Sequence, residues 1–365
     1  MRIPNSLKFL ALSAIIAVPA VSSAQTTVYS NVVGFDTITC STGTTGGVGS
    51  DSMVSASLHQ CAEFVGSVGS VTGTAITPSA TVAWGVNDFA SGGLLTHYVR
   101  MTSGSLLGHY FDVVSNAAGS ISIDTSGLPM PAVGDSFKVV PFWTLDSLFP
   151  AATQSTFIVS PGTLGFQKRS ALFIPDVLSP GINLPYSTEY IITPTGWKRI
   201  ASGFPAAGTD VIRPDVPFIV RHPNPASAGV ASTNYVISGE VSYDAAAVNA
   251  ATRTGSFRQD TAVAFQRPVD VELQDLGFTS ADFVASSGTL GFQRRDTLLV
   301  FDYSQTGINR PANREYYMVG SNWIRVDSGN PVANTDVINS STGLVIRKYQ
   351  TTSGATSTTI NNPAY

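Results

Sequence analysis

A chain of 365 residues with 43% hydrophobic and 10% aromatic side chains has ample material for packed cores, which excludes a disordered polymer despite 33 Gly and 21 Pro. Charged residues make up only 12%, against about 25% in an average soluble protein, so Ser, Thr, Asn, Gln and Gly must carry the surface. A net charge of −4 without any run of Lys and Arg removes the electrostatic basis for a nucleic-acid partner.

The N-terminus reads as a secretory signal over 1–24. Arg2 and Lys8 precede an apolar run at 9–18, Pro19 ends it, and the small residues Ser22 and Ala24 place the cut after Ala24. A membrane helix needs about 20 apolar residues, so this run is too short for a retained anchor. Lipid anchoring requires a Cys at the cut, and the first Cys is Cys40. The expectation is export to the periplasm, the outer surface or the extracellular space, with no transmembrane segment after processing. A transmembrane β-barrel is disfavoured by Pro217, Pro223, Pro225 and Pro268, which interrupt the strands it would need.

Beyond residue 25, alternating segments bounded by Gly, Pro, Asn and Ser replace helical periodicity, so the fold class is all-β with a few short helical turns. Cys40 and Cys61 are the only cysteines, and in an oxidising compartment they are expected to form a disulfide. Its loop of 20 intervening residues would contribute about 3 kcal/mol. The segment 96–113 suggests a hairpin centred on Ser103, which would set His97 against His109. Without a third ligand at a compatible spacing, the pair reads as cross-strand polar contact before it reads as metal. Ile121 and Ile123 alternate with Ser122 and Asp124, a strand follows at 137–143, helical turns are expected at 145–149 and 271–276, and 316–326 reads as a hairpin turning at Gly320-Ser321-Asn322.

The strongest signal is an internal repeat. Ser160-Pro161-Gly162-Thr163-Leu164-Gly165-Phe166-Gln167-Lys168-Arg169 recurs as Ser286-Ser287-Gly288-Thr289-Leu290-Gly291-Phe292-Gln293-Arg294-Arg295, 126 positions later. The same offset relates Gly181-Ile182-Asn183 to Gly307-Ile308-Asn309, Trp197 to Trp323, Arg199 to Arg325, Asp210 to Asp336 and Arg221 to Arg347. Two tandem duplicated halves, sandwich-like or barrel-like, are therefore expected, packed about a pseudo-twofold axis. The first β domain would span 25–225, with an extra segment at 74–130 and one repeat copy at 159–222. The second would span 226–365, with its copy at 285–348. Upstream, Asp135-Ser136-Phe137 resembles Asp260-Thr261-Ala262.

Trp197 with Arg199, and Trp323 with Arg325, lie two apart and would share a strand face, the pattern of a ligand-binding platform for sugars. Core packing of the same tryptophans gives an identical pattern. Retention of Arg169, Asp210 and Arg221 as Arg295, Asp336 and Arg347 suggests a shared framework in which an Asp is held between arginines. The recurrent Asp51-Ser52, Asp135-Ser136, Asp260-Thr261 and Asp296-Thr297 fit turn-forming bonds better than calcium ligation, since no Asp-x-Asp-x-Asp-Gly loop accompanies them. No cofactor or metal is expected. Gly134-Asp135-Ser136 lacks the Leu and the later Asp-x-x-His of Gly-Asp-Ser-Leu esterases, and no other nucleophile or phosphate-binding motif is present.

The segments Asn31-Val32-Val33-Gly34-Phe35, Phe64-Val65-Gly66-Ser67-Val68, His97-Tyr98-Val99-Arg100, Gly134-Asp135-Ser136-Phe137, Gln266-Arg267-Pro268-Val269-Asp270, Arg295-Asp296-Thr297-Leu298 and Asn362-Pro363-Ala364-Tyr365 resemble a family of uncharacterised exported proteins found chiefly in Verrucomicrobia and related bacteria. Ile360 departs from that pattern, which has Trp there. The resemblance implies export and lineage, and no activity. The expected function is a structural or adhesive surface protein without catalysis, with polysaccharide or other cell-surface components as partners and self-association as a further property. A carbohydrate-binding module is the second reading and a hydrolase the third.

Overall fold

A computed structural model describes residues 32–362, apart from 45–46, 254–256, 265, 280–282, 302, 304 and 350–356, with backbone alone for 357–362. The expected signal segment 1–24 and its cut lie outside the described residues. The chain is all-β, as its composition and alternation indicate, and its helical turns are short. Elements run β1 (Val33–Ser41), β2 (Ser50–Val54), β3 (Phe64–Thr72), β4 (Ala75–Pro78), the short β5 (Ala90–Ser91) and β6 (Leu94–Leu95), β7 (His97–Met101), β8 (Tyr110–Ala117), β9 (Ser120–Asp124), β10 (Ser136–Pro141) and β11 (Trp143–Thr144). Then come α1 (Leu145–Leu148), β12 (Ala171–Pro175), β13 (Tyr186–Thr193), β14 (Gly196–Arg199), β15 (Val211–Ile212), β16 (Phe218–His222), α2 (Pro225–Ala228) and β17 (Ser232–Glu240). The remainder is β18 (Ala246–Ala251), β19 (Gln259–Val263), β20 (Val271–Glu272), β21 (Thr297–Val300), β22 (Arg314–Val319), β23 (Asn322–Arg325), β24 (Val337–Ile338), β25 (Leu344–Lys348) and β26 (Ser357–Asn362).

Two five-stranded antiparallel sheets share one strand order, β14-β13-β12-β16-β2 and β23-β22-β21-β25-β19. Their registers correspond residue by residue. Ala171 faces Arg221 as Thr297 faces Arg347, and Ile192 faces Trp197 as Met318 faces Trp323. Outside the sheets, Thr37 opposite Val236 (β1 with β17) matches Ala246 opposite Asn362 (β18 with β26). Each sheet is packed around its own apolar cluster, with Leu145, Leu148, Leu172 and Trp197 in one and Leu273, Leu276, Leu298 and Trp323 in the other.

Between β2 and β11 the chain leaves the first sheet and closes a six-stranded barrel, β10-β3-β4-β9-β8-β7. Its inward residues follow the strand period of two: Phe111 and Val113, Ile121 and Ile123, Phe137 and Val139 are buried. Phe89 joins this core and Trp84 packs against it, with ring centroids 5.1 Å apart. The inserted body thus runs from Phe64 to Pro141, beyond both ends of the extra segment expected at 74–130.

Three expectations are corrected, the first of them by this insertion. Asp260 lies opposite Arg347 and Asp51 opposite Arg221, so Asp51-Ser52 is the positional counterpart of Asp260-Thr261, while Asp135-Ser136 leads into the barrel strand β10. The barrel separates Asp51 from the rest of its unit, and a match along the chain finds the nearer Asp-Ser instead. In the β7–β8 hairpin Val99 faces Phe111, so the turn centres two residues later than Ser103 and His97 does not oppose His109. The disulfide is not formed. Cys40 lies opposite Thr233, whereas His59, two residues before Cys61, bridges Glu240 seven residues further along the same strand. At about 3.3 Å per residue that separation is about 23 Å, far beyond the ~7 Å between Cα atoms that a bridge tolerates. Cys40 is buried and Cys61 exposed, both as free thiols.

Candidate functional site

Of the two readings of the tryptophan pattern, the structure has core packing, and the sugar platform is not a surface. Trp197 is 1% exposed and Trp323 3%. The Trp197 indole N–H donates to the Phe149 carbonyl (3.0 Å). Arg199 and Arg325 do extend from the same strands, but they end on carboxylates: Arg199 lies 3.9 Å from Asp210, and Arg325 lies 3.0 Å from Asp336. Each Asp also accepts a tyrosine hydroxyl, Tyr190 on Asp210 (2.9 Å) and Tyr316 on Asp336 (2.8 Å). Burial and the adjacent Asp336 push the Tyr316 hydroxyl up to about 12. The Asp is therefore held between a Tyr and an Arg, not between Arg169 and Arg221, because the pleat directs Arg221 to the edge strand.

Arg221 and Arg347 instead build a reciprocal clasp between the two sheets. Arg221 binds Asp51 through Nε (2.6 Å) and Nη2 (2.8 Å), and donates to Oδ1 of Asn309 from the other unit (2.9 Å). Asn309 N–H donates back to Asp51 (2.9 Å). The mirror arrangement has Arg347 on Asp260 (2.7 and 2.8 Å) and on Asn183 Oδ1 (2.9 Å), with Asn183 N–H on Asp260 (2.7 Å). These carboxylates hold both guanidiniums above their ordinary range. Both asparagines are left-handed (φ 51 and 50), a conformation Asn tolerates better than most residues, which accounts for Gly-Ile-Asn recurring in both copies. Backbone bonds complete the clasp: Asp51 N–H to Gly307 O, Ser55 N–H to Ser341 O, Asp260 N–H to Gly181 O and Ala264 N–H to Asp215 O, at 2.7–3.0 Å. Each unit thereby satisfies part of the other's edge strand, a device that blunts open sheet edges.

A cavity of about 590 Å³ lies at this junction, with Met53 and Ile219 from one sheet facing Ala262, Leu299 and Val345 from the other. A second cleft of about 450 Å³ separates the barrel from both units. There Arg213 binds Asp112 with both terminal nitrogens (2.9 and 2.8 Å), and the Tyr110 hydroxyl donates to Asp215 (2.7 Å). Burial raises Asp215 above the usual carboxylate range, and burial together with that carboxylate raises Tyr110. The counterparts of Arg213 and Asp215 are Asn339 and Ser341, so this network belongs to the unit that carries the barrel and fastens it in place. Arg100, buried in β7 opposite Tyr110, adds a further tie through Gln266 and the Ala245 carbonyl.

The Asp-Ser/Thr motifs resolve into ion pairs and turns. Asp51 and Asp260 meet arginines, Asp296 is buried against Lys348, and Asp135 accepts the Ala132 N–H (2.9 Å). Among the described residues no three His, Cys, Asp or Glu side chains converge on a common metal position, and no helix is long and apolar enough to cross a membrane.

One repeated feature turns its apolar side chains outward among the described residues. The motif Leu-Gly-Phe-Gln forms a single 3₁₀ turn in each unit, Gly165–Gln167 and Gly291–Gln293. Its aromatic tip is turned outward, with Phe166 78% and Phe292 80% exposed and Leu164 and Leu290 beside them at 56% and 57%. The loops are held alike. Gln167 Oε1 accepts Leu164 N–H (3.3 Å) and Gln293 Oε1 accepts Leu290 N–H (3.1 Å), while Ser160 and Ser286 hydroxyls accept the N–H of Arg169 and Arg295 (2.9 and 3.0 Å). A methyl on Gly162 or Gly288 would fall 2.2 or 2.3 Å from the Gln oxygen, which is why both positions are Gly. The sequence displayed this motif as its best-matched block, but no periodicity reveals that its Phe faces outward. No protein-family model, curated protein or solved structure matches the chain.

Proposed function

We propose that this is an exported structural or adhesive protein without catalytic activity, derived by duplication of a β unit and presenting two Leu-Gly-Phe tips to a surface partner. The observation that carries this reading is the pair of outward-facing Phe166 and Phe292 on braced turns. Burial of a Phe contributes about 2–3 kcal/mol, so leaving two of them exposed on braced turns forgoes stability in this molecule and suits burial in another. The signal-like N-terminus and the low charge support export. The carbohydrate platform on Trp197, Arg199, Trp323 and Arg325 is not retained, since those tryptophans are core residues.

The test is co-sedimentation of purified 25–365 with isolated cell envelopes, together with light scattering to measure self-association. The wild type should bind envelopes or assemble, and a Phe166→Ser/Phe292→Ser variant with an unchanged melting temperature should do neither. An inert monomeric wild type, or a variant that behaves as the wild type does, rejects the tips as adhesive elements.

A further inference from the structure

Beside the second tip, three guanidiniums are gathered on aromatic rings without a carboxylate. Arg295 lies over the Tyr349 ring at 4.4 Å and Arg258 over the same ring at 5.5 Å. Arg294 lies over Tyr317 at 5.2 Å, and its carbonyl accepts from Arg258 Nη2 at 3.4 Å, so the three form one cluster. None of them makes an ion pair among the described residues, although the chain is acidic overall. The first unit lacks this cluster. There Lys168 stands in place of Arg294 and is neutralised by Glu189 at 3.0 Å, Ile191 replaces Tyr317, and Pro223 replaces Tyr349. Asp296, next in sequence to the cluster, is taken up by buried Lys348 and by the N–H groups of Val284 and Tyr349, and Glu315, which corresponds to Glu189, forms no ion pair with the cluster among the described residues.

We propose that Arg258, Arg294 and Arg295 form a binding site for an acidic polysaccharide, one bearing carboxylate or sulfate groups. This rests on the adhesive reading above and names the partner class of its second tip. A guanidinium stacked on a ring is oriented in advance and can turn in-plane N–H groups to an oxyanion. Arg258 spends one Nη2 contact on the Arg294 carbonyl and the Arg294 Nε is buried, so the remaining terminal nitrogens would make the contact. Several such groups in one patch suit a polymer with repeated single charges. Phe292, at the edge of the same loop, supplies an apolar face for the C–H side of a sugar ring. A bilayer would draw on the apolar tips of both units alike, whereas the arginine cluster exists at only one.

Binding of the full processed chain to polygalacturonate and to heparin is measured by calorimetry, with neutral dextran and phosphatidylglycerol vesicles alongside. One or both acidic polysaccharides should bind, dextran should not, and affinity should fall roughly 20- to 40-fold between 50 and 200 mM salt for about three displaced counterions. Arg294→Gln/Arg295→Gln should weaken binding roughly a hundredfold, about tenfold for each guanidinium removed. Arg258→Gln serves if the double variant melts early, and Lys168→Gln/Arg169→Gln in the other unit should change nothing. Failure of both polysaccharides to bind, salt-independent binding, an unaffected Arg294→Gln/Arg295→Gln variant, or binding to the vesicles alone would overturn the assignment. Loss of envelope adhesion in Phe166→Ser/Phe292→Ser with polysaccharide binding intact separates the tips from the cluster.

Discussion

Replacing Arg347 with Met tests whether the clasp joins the two units into one cooperative body. The substitution leaves Asp260, whose side chain is 7% exposed, without its bidentate partner, and removes the bond to Asn183 across the junction. Removing one partner of a buried pair costs about 3–5 kcal/mol, and the lower end applies because Asn183 N–H still reaches Asp260. Arg221→Met should cost less, about 2 kcal/mol, because the Arg221–Asp51 pair is more exposed (24% and 13%) and solvent screens the orphaned charge. The double variant then loses about 5 kcal/mol, comparable with the whole stability of many domains. Urea unfolding followed by fluorescence should show one transition in the wild type. In the double variant, a Trp323→Phe background, which silences the second unit's core, and a Trp84→Phe/Trp143→Phe/Trp197→Phe background, which leaves Trp323 as the sole indole reporter, should give different midpoints. Arg169→Met, at a residue with no ion pair among the described residues, should stay within about 0.5 kcal/mol. A cost below about 1 kcal/mol for Arg347→Met, with coincident transitions in the double variant, would refute the clasp as the coupling element.

Burial holds the His222 imidazole down to about 4 from its ordinary 6.5, so the unfolded chain takes up the extra proton between those values. Stability should be complete above about pH 6.5 and decline by up to about 3 kcal/mol as pH falls towards 4. Buried His59, held down to about 4 as well, contributes a similar decline, so His222→Gln should remove about half of it in pH-dependent urea melts. Thiol titration should find Cys61 reactive in the folded protein and Cys40, whose thiol burial pushes up to about 11, only after unfolding; a protein that yields no free thiol when denatured would restore the disulfide. Trp197→Ala should lose about 3–5 kcal/mol as a core truncation. Gly162→Ala should leave global stability within about 1 kcal/mol but loosen the first tip, detectable as faster amide exchange at Leu164, because the Gln167 oxygen must move.

What the sequence displayed was local or periodic. Alternation at Ile121 and Ile123 placed a barrel strand, Gly320-Ser321 placed a hairpin turn, and Leu145–Leu148 formed the helical turn expected there. The missed features depend on partners distant along the chain. Asp51 meets Arg221 across an interval that the barrel occupies, so the match to Asp260 was hidden by the insertion. Cys40 and Cys61 are near in sequence and far in space because a strand and a reversed segment carry them to opposite ends of β17. Trp197 and Trp323 have the same two-residue spacing from an Arg whether they line a groove or a core, and only the position of the second layer decides between these.

The repeat itself becomes more informative once the partners are known. A residue kept in both copies can serve the core, the junction between copies, or the outer surface, and the first two roles account for many of the retained positions. Trp197 and Trp323 fill cores, Asp210 and Asp336 hold Tyr and Arg, and Asn183, Asn309, Arg221 and Arg347 close the clasp. Gly162, Gly288, Gln167 and Gln293 fix a turn. Phe166 and Phe292 do none of this: Ser or Lys at either tip would leave every bond of the turn in place and would suit water better. Folding therefore gives no reason for aromatic rings there, and the proposed contact with a second molecule would supply one.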